Sequence, residues 1–150
     1  MKIDIADVNV EVVEDANGWV VEAMWQEYRI GQAYCRFLEK SEIQLYDLAV
    51  ESNVPVPNTF GKKLLNALGA AFTGEDFRGN GVGSLILDRL ISESKRRGIA
   101  IIWGSVLKDD VERTPFLLEW FKRRGFSISA PDKRCLPNAV KKIQLDLVID

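Results

Sequence analysis

The chain has 150 residues, 47% apolar and 28% charged, which is the size of one domain with its own core, and its two cysteines exclude a disulfide framework. It has no histidine, which excludes Ser-His-Asp and Cys-His nucleophilic mechanisms and, with so few thiols, a zinc site. The formal charge of −2 is uneven, with 6 basic and 12 acidic residues over 1–75 against 14 and 10 over 76–150, so the second half is the better place to look for an anionic ligand.

In chain order, Val8, Val10 and Val12 alternate with Asn9 and Glu11 and lead into an Asn17-Gly18 pair, a hairpin signal, with Trp19 to Trp25 as the return strand. Two further β-rich runs, Arg29 to Leu38 and Ile43 to Val50, complete an antiparallel meander. Residues 51–76 break the rhythm. Val54-Pro55-Val56-Pro57 reads as a loop, and Phe60, Leu64, Leu68 and Phe72 have the spacing of a short helix. Ser84 to Arg97 is predicted helical, with basic residues in its last turn and Gly98 at the cap position. Ile99 to Leu107 reads as a buried strand followed by an acidic turn, Lys108-Asp109-Asp110. A helix capped by Thr114, with Pro115 in its first turn, is expected to end at Gly125. Strands at Phe126 to Ser129 and Ile143 to Ile149 close the chain, the latter with Ile143, Leu145 and Leu147 inward and Gln144 and Asp146 outward.

The segment that carries chemistry is Arg78-Gly79-Asn80-Gly81-Val82-Gly83-Ser84, three glycines at alternate positions running into the predicted helix. The first N–H groups of a helix have no intrahelical partner and lie at the positive end of its dipole, and glycine lets a phosphate approach them. Arg78 adds a charge. A dinucleotide fingerprint needs glycine or alanine at 84 or 86, where Ser84 and Ile86 stand, and a Walker loop needs a lysine where none lies between Lys63 and Lys95.

Arg78-x-x-Gly81-x-Gly83 resembles the acetyl-CoA loop of the GNAT superfamily of N-acetyltransferases, Arg/Gln-x-x-Gly-x-Gly/Ala. Ile43 to Val50 is similar to that family's fourth strand, and Glu119 to Phe126 to its late helix ending in Gly-Phe. The resemblance covers about two thirds of the chain and implies a mixed α/β (α+β) fold: a central, mostly antiparallel sheet with splayed parallel strands 4 and 5 and flanking helices. It implies acetyl-CoA as acetyl donor, with the cofactor on Arg78, Gly79, Asn80, Gly81, Val82, Gly83 and Ser84. The pantetheine would pair with backbone at Leu48, Ala49 and Val50, and an amine would attack the thioester directly. Phe121 stands where the family commonly has the tyrosine that protonates the leaving thiolate. Tyr46, Tyr34 and Ser105 are the alternative donors, and Asp47 or Glu51 the candidate bases. A protein that binds acyl-CoA or a partner without catalysis is the rival reading.

The family also builds an acceptor wall from two helices between its first and second strands, where this chain has only the Glu14 to Gly18 turn. Conversely, 28 positions separate Val50 from Arg78. One domain over 1–150, with an inserted segment at about 51–76 that closes the acceptor side, acts as a lid or makes a homodimer contact, is therefore expected. The acceptor is expected to be a primary amine of a small molecule or peptide, and the acidic first half favours a cationic one. Asp109 and Asp110 are read as a solvated loop, the four tryptophans as packing, with Trp103 a candidate to line the groove, and the cysteines as ordinary thiols. No aromatic-basic interleaving points to nucleic acid. The acidic start, Asp4 and Asp7, and the lack of any stretch near ~18 apolar residues predict a cytoplasmic protein with no membrane partner.

Overall fold

Alternation in the first fifty residues becomes four antiparallel strands: β1 (Val8–Glu14), β2 (Gly18–Trp25), β3 (Tyr28–Glu39) and β4 (Glu42–Val50). The computed structural model describes residues 2–39, 41–56, 75–130 and 142–149. Within them, β5 (Ile101–Leu107), β6 (Ser127–Ser129) and β7 (Lys142–Val148) extend the sheet in the order β1-β2-β3-β4-β5-β7-β6. The β4–β5 pair is parallel and the other pairs are antiparallel. The expected helix at 60–72 and Cys135 lie outside the described residues.

The first hairpin forms as predicted, but its chemistry differs from a tight Asn-Gly turn. The Asp15 carboxylate accepts hydrogen bonds from the backbone N–H groups of Asn17 and Gly18, both at 2.8 Å. Gly18 is needed for proximity: a Cβ there would lie 1.8 Å from the carbonyl oxygen of Cys35 on β3. Burial among these strands pushes the Cys35 thiol up to about 12, so it packs as a small apolar group.

Helix α1 (Val82–Arg96) buries Val82, Ile86, Leu87 and Leu90. It lies on the sheet face that carries Gly31, where an added Cβ would come within 2.8 Å of the Ile86 side chain. Register puts Trp19, Val21 and Ala23 of β2, Ala33 and Cys35 of β3 and Ile43 and Leu45 of β4 on that same face. Burying the four aliphatic side chains is worth ~1.5–3 kcal/mol each, far more than the ~1 kcal/mol of a side-chain N-cap. The helix forms without one: Gly81 precedes it in the left-handed region, φ 84°, and makes no side-chain cap bond.

Three boundaries depart from expectation. Helix α1 starts at Val82, two residues before Ser84, because Gly81 supplies the turn. The predicted acidic turn at 108–110 is the start of a short helix, α2 (Lys108–Arg113), with Asp109 and Asp110 in its first turn, where acids favour the dipole. Thr114 does not cap the next helix. Proline disfavours helical backbone in the residue before it, Thr114 is correspondingly non-helical (φ −129°, ψ 79°) and ends α2, and Pro115 and Phe116 turn into α3 (Leu117–Lys122). Gln144, expected outward, is buried, and it donates to Asp146 on the same face of β7 at 2.7 Å.

At the far end of α1, Glu93 is buried and accepts from Arg96 at 2.6 Å and from Arg97 at 2.7 Å, and Arg97 reaches Glu14 on β1 at 2.6 Å. Hydrogen bonds from Arg96, then Arg97, outweigh the opposing effect of burial and hold the Glu93 carboxyl down to about 2. Its folded value lies below its unfolded one, so its stabilisation is full above the ordinary carboxylate range and is lost as pH falls toward 2. Glu93→Gln is expected to cost about 1–2 kcal/mol at neutral pH. That is less than the ~3–5 kcal/mol of breaking a fully buried pair, because Arg96 stays largely in water. Urea titrations of both proteins from pH 7 down to 3 check this: the gap should narrow as the solution is acidified.

Candidate active site

The central feature is a fork in the sheet. Strands β4 and β5 pair only from Glu42↔Ile101 to Leu45↔Gly104, and both continue beyond, to Val50 and Leu107. Two residues explain the parting. Across β3, Cys35 faces Leu45 and Tyr34 faces Asp47, so Tyr46 is an extra residue in β4, a β-bulge immediately past the last parallel pair. Gly104 lies close to the opposite strand, where a Cβ would be 3.0 Å from the Leu45 carbonyl oxygen. A bulge bends its strand and ends pairing, and here it leaves the β5-facing edge of β4 beyond Leu45 without a strand beside it among the described residues.

The bulge also shifts which residues face α1. Ile43 and Leu45 do so before it, Leu48 and Val50 after it, and Tyr46 and Asp47 are both exposed on the opposite face. Tyr46 packs edge-on to Tyr34 at 6.1 Å, and the Arg36 guanidinium lies 5.6 Å from its ring centre.

A cleft of about 1150 Å³ opens at the fork and has walls on both faces of the sheet. Leu48, Leu117, Phe121 and Leu145 line its helix side. Gln32, Tyr34, Tyr46, Asp47 and Ser105 line its other side. Asp47 is the candidate base that the cleft contains. Glu51 is not among its lining residues; its backbone joins β4 to the neighbouring chain by accepting from Phe77 and donating to Ile30, both at 2.9 Å. All three alternative donors, Tyr34, Tyr46 and Ser105, line the cleft, and so does Thr114. Trp103 is buried and is not a lining residue, whereas Asp110, expected in a solvated loop, is one.

Beside the cleft, the glycine loop enters α1 as a concave turn. Gly79 and Gly81 both have positive φ, 78° and 84°. Asn80 braces the turn, accepting from the Ile3 N–H at 3.2 Å and donating to the Phe77 carbonyl at 3.1 Å. The N–H groups of Val82, Gly83 and Ser84 form the first turn and have no intrahelical acceptor. Trp120 from α3 covers this turn: its Nε1–H donates to Ser84 Oγ at 3.1 Å, and its ring would touch a Cβ on Gly83 at 3.6 Å. Arg124 lies 4.7 Å over the Trp120 ring centre and bonds Asp88 on α1 at 3.1 Å, which ties α3 to α1.

Arg78, which the sequence reading adds as a charge for phosphate, is engaged by a carboxylate on its own loop. It grips Asp76 through Nε at 3.0 Å and Nη2 at 2.8 Å, and the Arg78 backbone N–H also donates to that carboxylate. Hydrogen bonds from Arg78 hold the Asp76 carboxyl down to about 2. The anion-binding capacity of the loop therefore rests first on its backbone dipoles. Phe121 is buried between Trp120 and Phe126, with ring centres at 4.9 and 5.3 Å, and reaches the cleft.

Sequence reasoning missed the bulge, although it leaves a signal. Apolar positions 43 and 45 give way to 48 and 50, a change from odd to even that two consecutive polar-face residues, Tyr46 and Asp47, must accommodate. It also missed Gln32, Thr114, Arg113 and Lys142, which the topology brings to the cleft from β3, the end of α2 and β7. Among the described residues, no group of His, Cys, Asp and Glu can hold a metal ion, and no helix is long and apolar enough to cross a membrane.

No protein-family model matches the chain, and no curated protein matches it in sequence. Solved structures do match in shape. The ribosomal-protein-S18-alanine N-acetyltransferase from Escherichia coli is 16% identical, with 91% of this chain aligned to 72% of that one at a TM-score of 0.62. A GNAT family acetyltransferase from Elizabethkingia anophelis, with acetyl-CoA bound, is 12% identical over 95% of this chain and 98% of its own, TM-score 0.62. An acetyltransferase from Bacillus subtilis in complex with CoA is 13% identical over 95% and 99%, TM-score 0.60.

Proposed function

Starting from the GNAT fold that this chain adopts, we propose that it is an acetyl-CoA-dependent N-acetyltransferase whose acceptor is an amine of a small molecule or peptide. The observation that carries the reading is the fork at Leu45 and Gly104 with an uncapped, glycine-entered helix beside it. The two features suit the two ends of the donor: a strand edge for the amide-bearing pantetheine arm and a set of free N–H groups for the pyrophosphate. The structures similar in fold include ones with acetyl-CoA and CoA bound, which supports the same donor here.

The donor supplies an activated thioester, and the chain supplies the rest. Leu48, Ala49 and Val50 present backbone groups along the open edge of β4. An N–H on this edge, where the bulge has ended the ladder, polarises the thioester carbonyl. Asp47, on the cleft wall, takes a proton from the ammonium of the acceptor so that its lone pair can attack. The amine nitrogen bonds to the carbonyl carbon, the C–S bond breaks with the electron pair going to sulfur, the nitrogen gives up its second proton to become an amide, and the thiolate takes up a proton to leave as the free thiol.

Phe121 bears on that last step, since a phenyl ring donates no proton. Tyr34, Tyr46, Ser105 and Thr114 are the hydroxyls in the cleft that can meet the thiolate. Phe121→Tyr is expected to raise kcat at least about tenfold, toward the ~10²–10⁴ of a well-placed acid, because the ring edge already borders the cleft. Steady-state thiol release with an amine panel measures it. The same panel tests the rival reading that Phe121 supports, a non-catalytic acyl-CoA-binding module, which predicts donor binding with no amine-dependent thiol release from either protein.

A further inference from the structure

The cleft holds three cations, Arg78, Arg113 and Lys142, and they are not equivalent. Arg78 is spent on Asp76. Elsewhere the described arginines nearest to carboxylates are paired off as well: Arg96 and Arg97 on Glu93, Arg97 also on Glu14, and Arg124 on Asp88. Arg113, in the last turn of α2, and Lys142, the first residue of β7, have no ion pair among the described residues, though both border the same cavity. The fold brings them to one end of the sheet: β5 ends at Leu107, which faces Lys142 in register, and runs directly into α2. Asp110, one turn before Arg113 and also in the cleft, pairs with neither; its backbone carbonyl caps α2 by accepting from Thr114 at 2.9 Å.

Across the fork stands Asp47, on the opposite strand. One wall thus carries Asp47, and the other carries Arg113 and Lys142 with Asp110 beside them, a guanidinium suited to grip a carboxylate and a lysine suited to neutralise it. We propose that the acceptor is an amine that also bears a carboxylate, an amino acid or an amino-acid-like compound, with its carboxylate on Arg113 and Lys142 and its ammonium turned toward Asp47. This refines the acceptor class and rests on the transferase reading above. It narrows the cationic acceptor that the acidic first half of the sequence favours to one that also offers an anion to Arg113 and Lys142.

The test reads binding separately from catalysis. CoA-saturated protein is titrated calorimetrically with lysine, phenylalanine, tyrosine and tryptophan, each beside the amine left by removing its carboxylate. At least one amino acid should bind at least about tenfold more tightly than its amine, as expected for a charge-assisted contact. The double variant Arg113→Gln, Lys142→Gln should erase that preference while leaving CoA affinity within about twofold. The proposal is overturned if the amines bind as tightly as the amino acids, if no amino acid binds, or if the preference survives in the double variant. It is equally overturned if the double variant loses CoA, which would assign these cations to the phosphates of the donor. Failure of the transferase reading looks different: the amino acid binds with the expected preference, but acetyl-CoA in place of CoA yields no acetylated product.

Discussion

Gly83→Asp is expected to weaken acetyl-CoA binding at least about 100-fold while leaving the thermal midpoint unchanged or slightly higher. The backbone accepts a side chain here, since a Cβ would meet Trp120 at 3.6 Å and Val50 at 3.7 Å, ordinary contact distances. A carboxylate in the first turn of α1 is even favoured by the helix dipole, by ~0.3–1 kcal/mol. The same carboxylate would occupy the N–H groups proposed to hold the pyrophosphate and would repel its charge. Losing two charge-assisted hydrogen bonds of ~1.5–3 kcal/mol each accounts for the fall. Calorimetry with acetyl-CoA, beside a thermal melt, separates the effects, and unchanged affinity would place the phosphates away from this loop.

Asp47→Asn is expected to lower kcat about 100-fold with donor affinity unchanged, which is the scale of a lost general base. The exchange preserves shape at an exposed position on the cleft wall, so stability should hold within ~0.5 kcal/mol. The residual rate should climb with pH, because an acceptor amine that loses its own proton no longer needs the carboxylate. Initial rates from pH 7 to 10 check this, and a variant rate that stays flat across the range would remove Asp47 from proton transfer.

Much of this site is legible in the chain, because its main parts are local. Three glycines entering an amphipathic stretch specify the turn and the helix together: Gly79 and Gly81 take the left-handed backbone, and α1 buries the aliphatic stripe that the spacing shows. The meander is legible for the same reason, as alternation marks a face. What escaped depends on partners distant in sequence. The bulge at Tyr46 is defined only against β3 and the end of β4–β5 pairing only against Gly104, whereas Arg78 meets a partner two residues away, Asp76, through a rotamer that residue types alone do not fix. Thr114 carries a strong capping signal, yet Pro115 constrains it differently and α3 starts later, at Leu117. Gln144 follows a polar-out pattern, which marks its face of β7 but not that this face is covered there; it is buried and bonds Asp146.

Transfer from acetyl-CoA to an amine in the forked cleft is the central proposal. The most direct test incubates the purified protein with acetyl-CoA and the panel of amino acids and amines, and follows both free thiol and acetylated product by mass spectrometry. The proposed function predicts product formed one for one with thiol, N-linked, and abolished together with donor binding in Gly83→Asp. Saturable acetyl-CoA binding with neither thiol release nor product for any amine would contradict it and leave a binding module on the same fold.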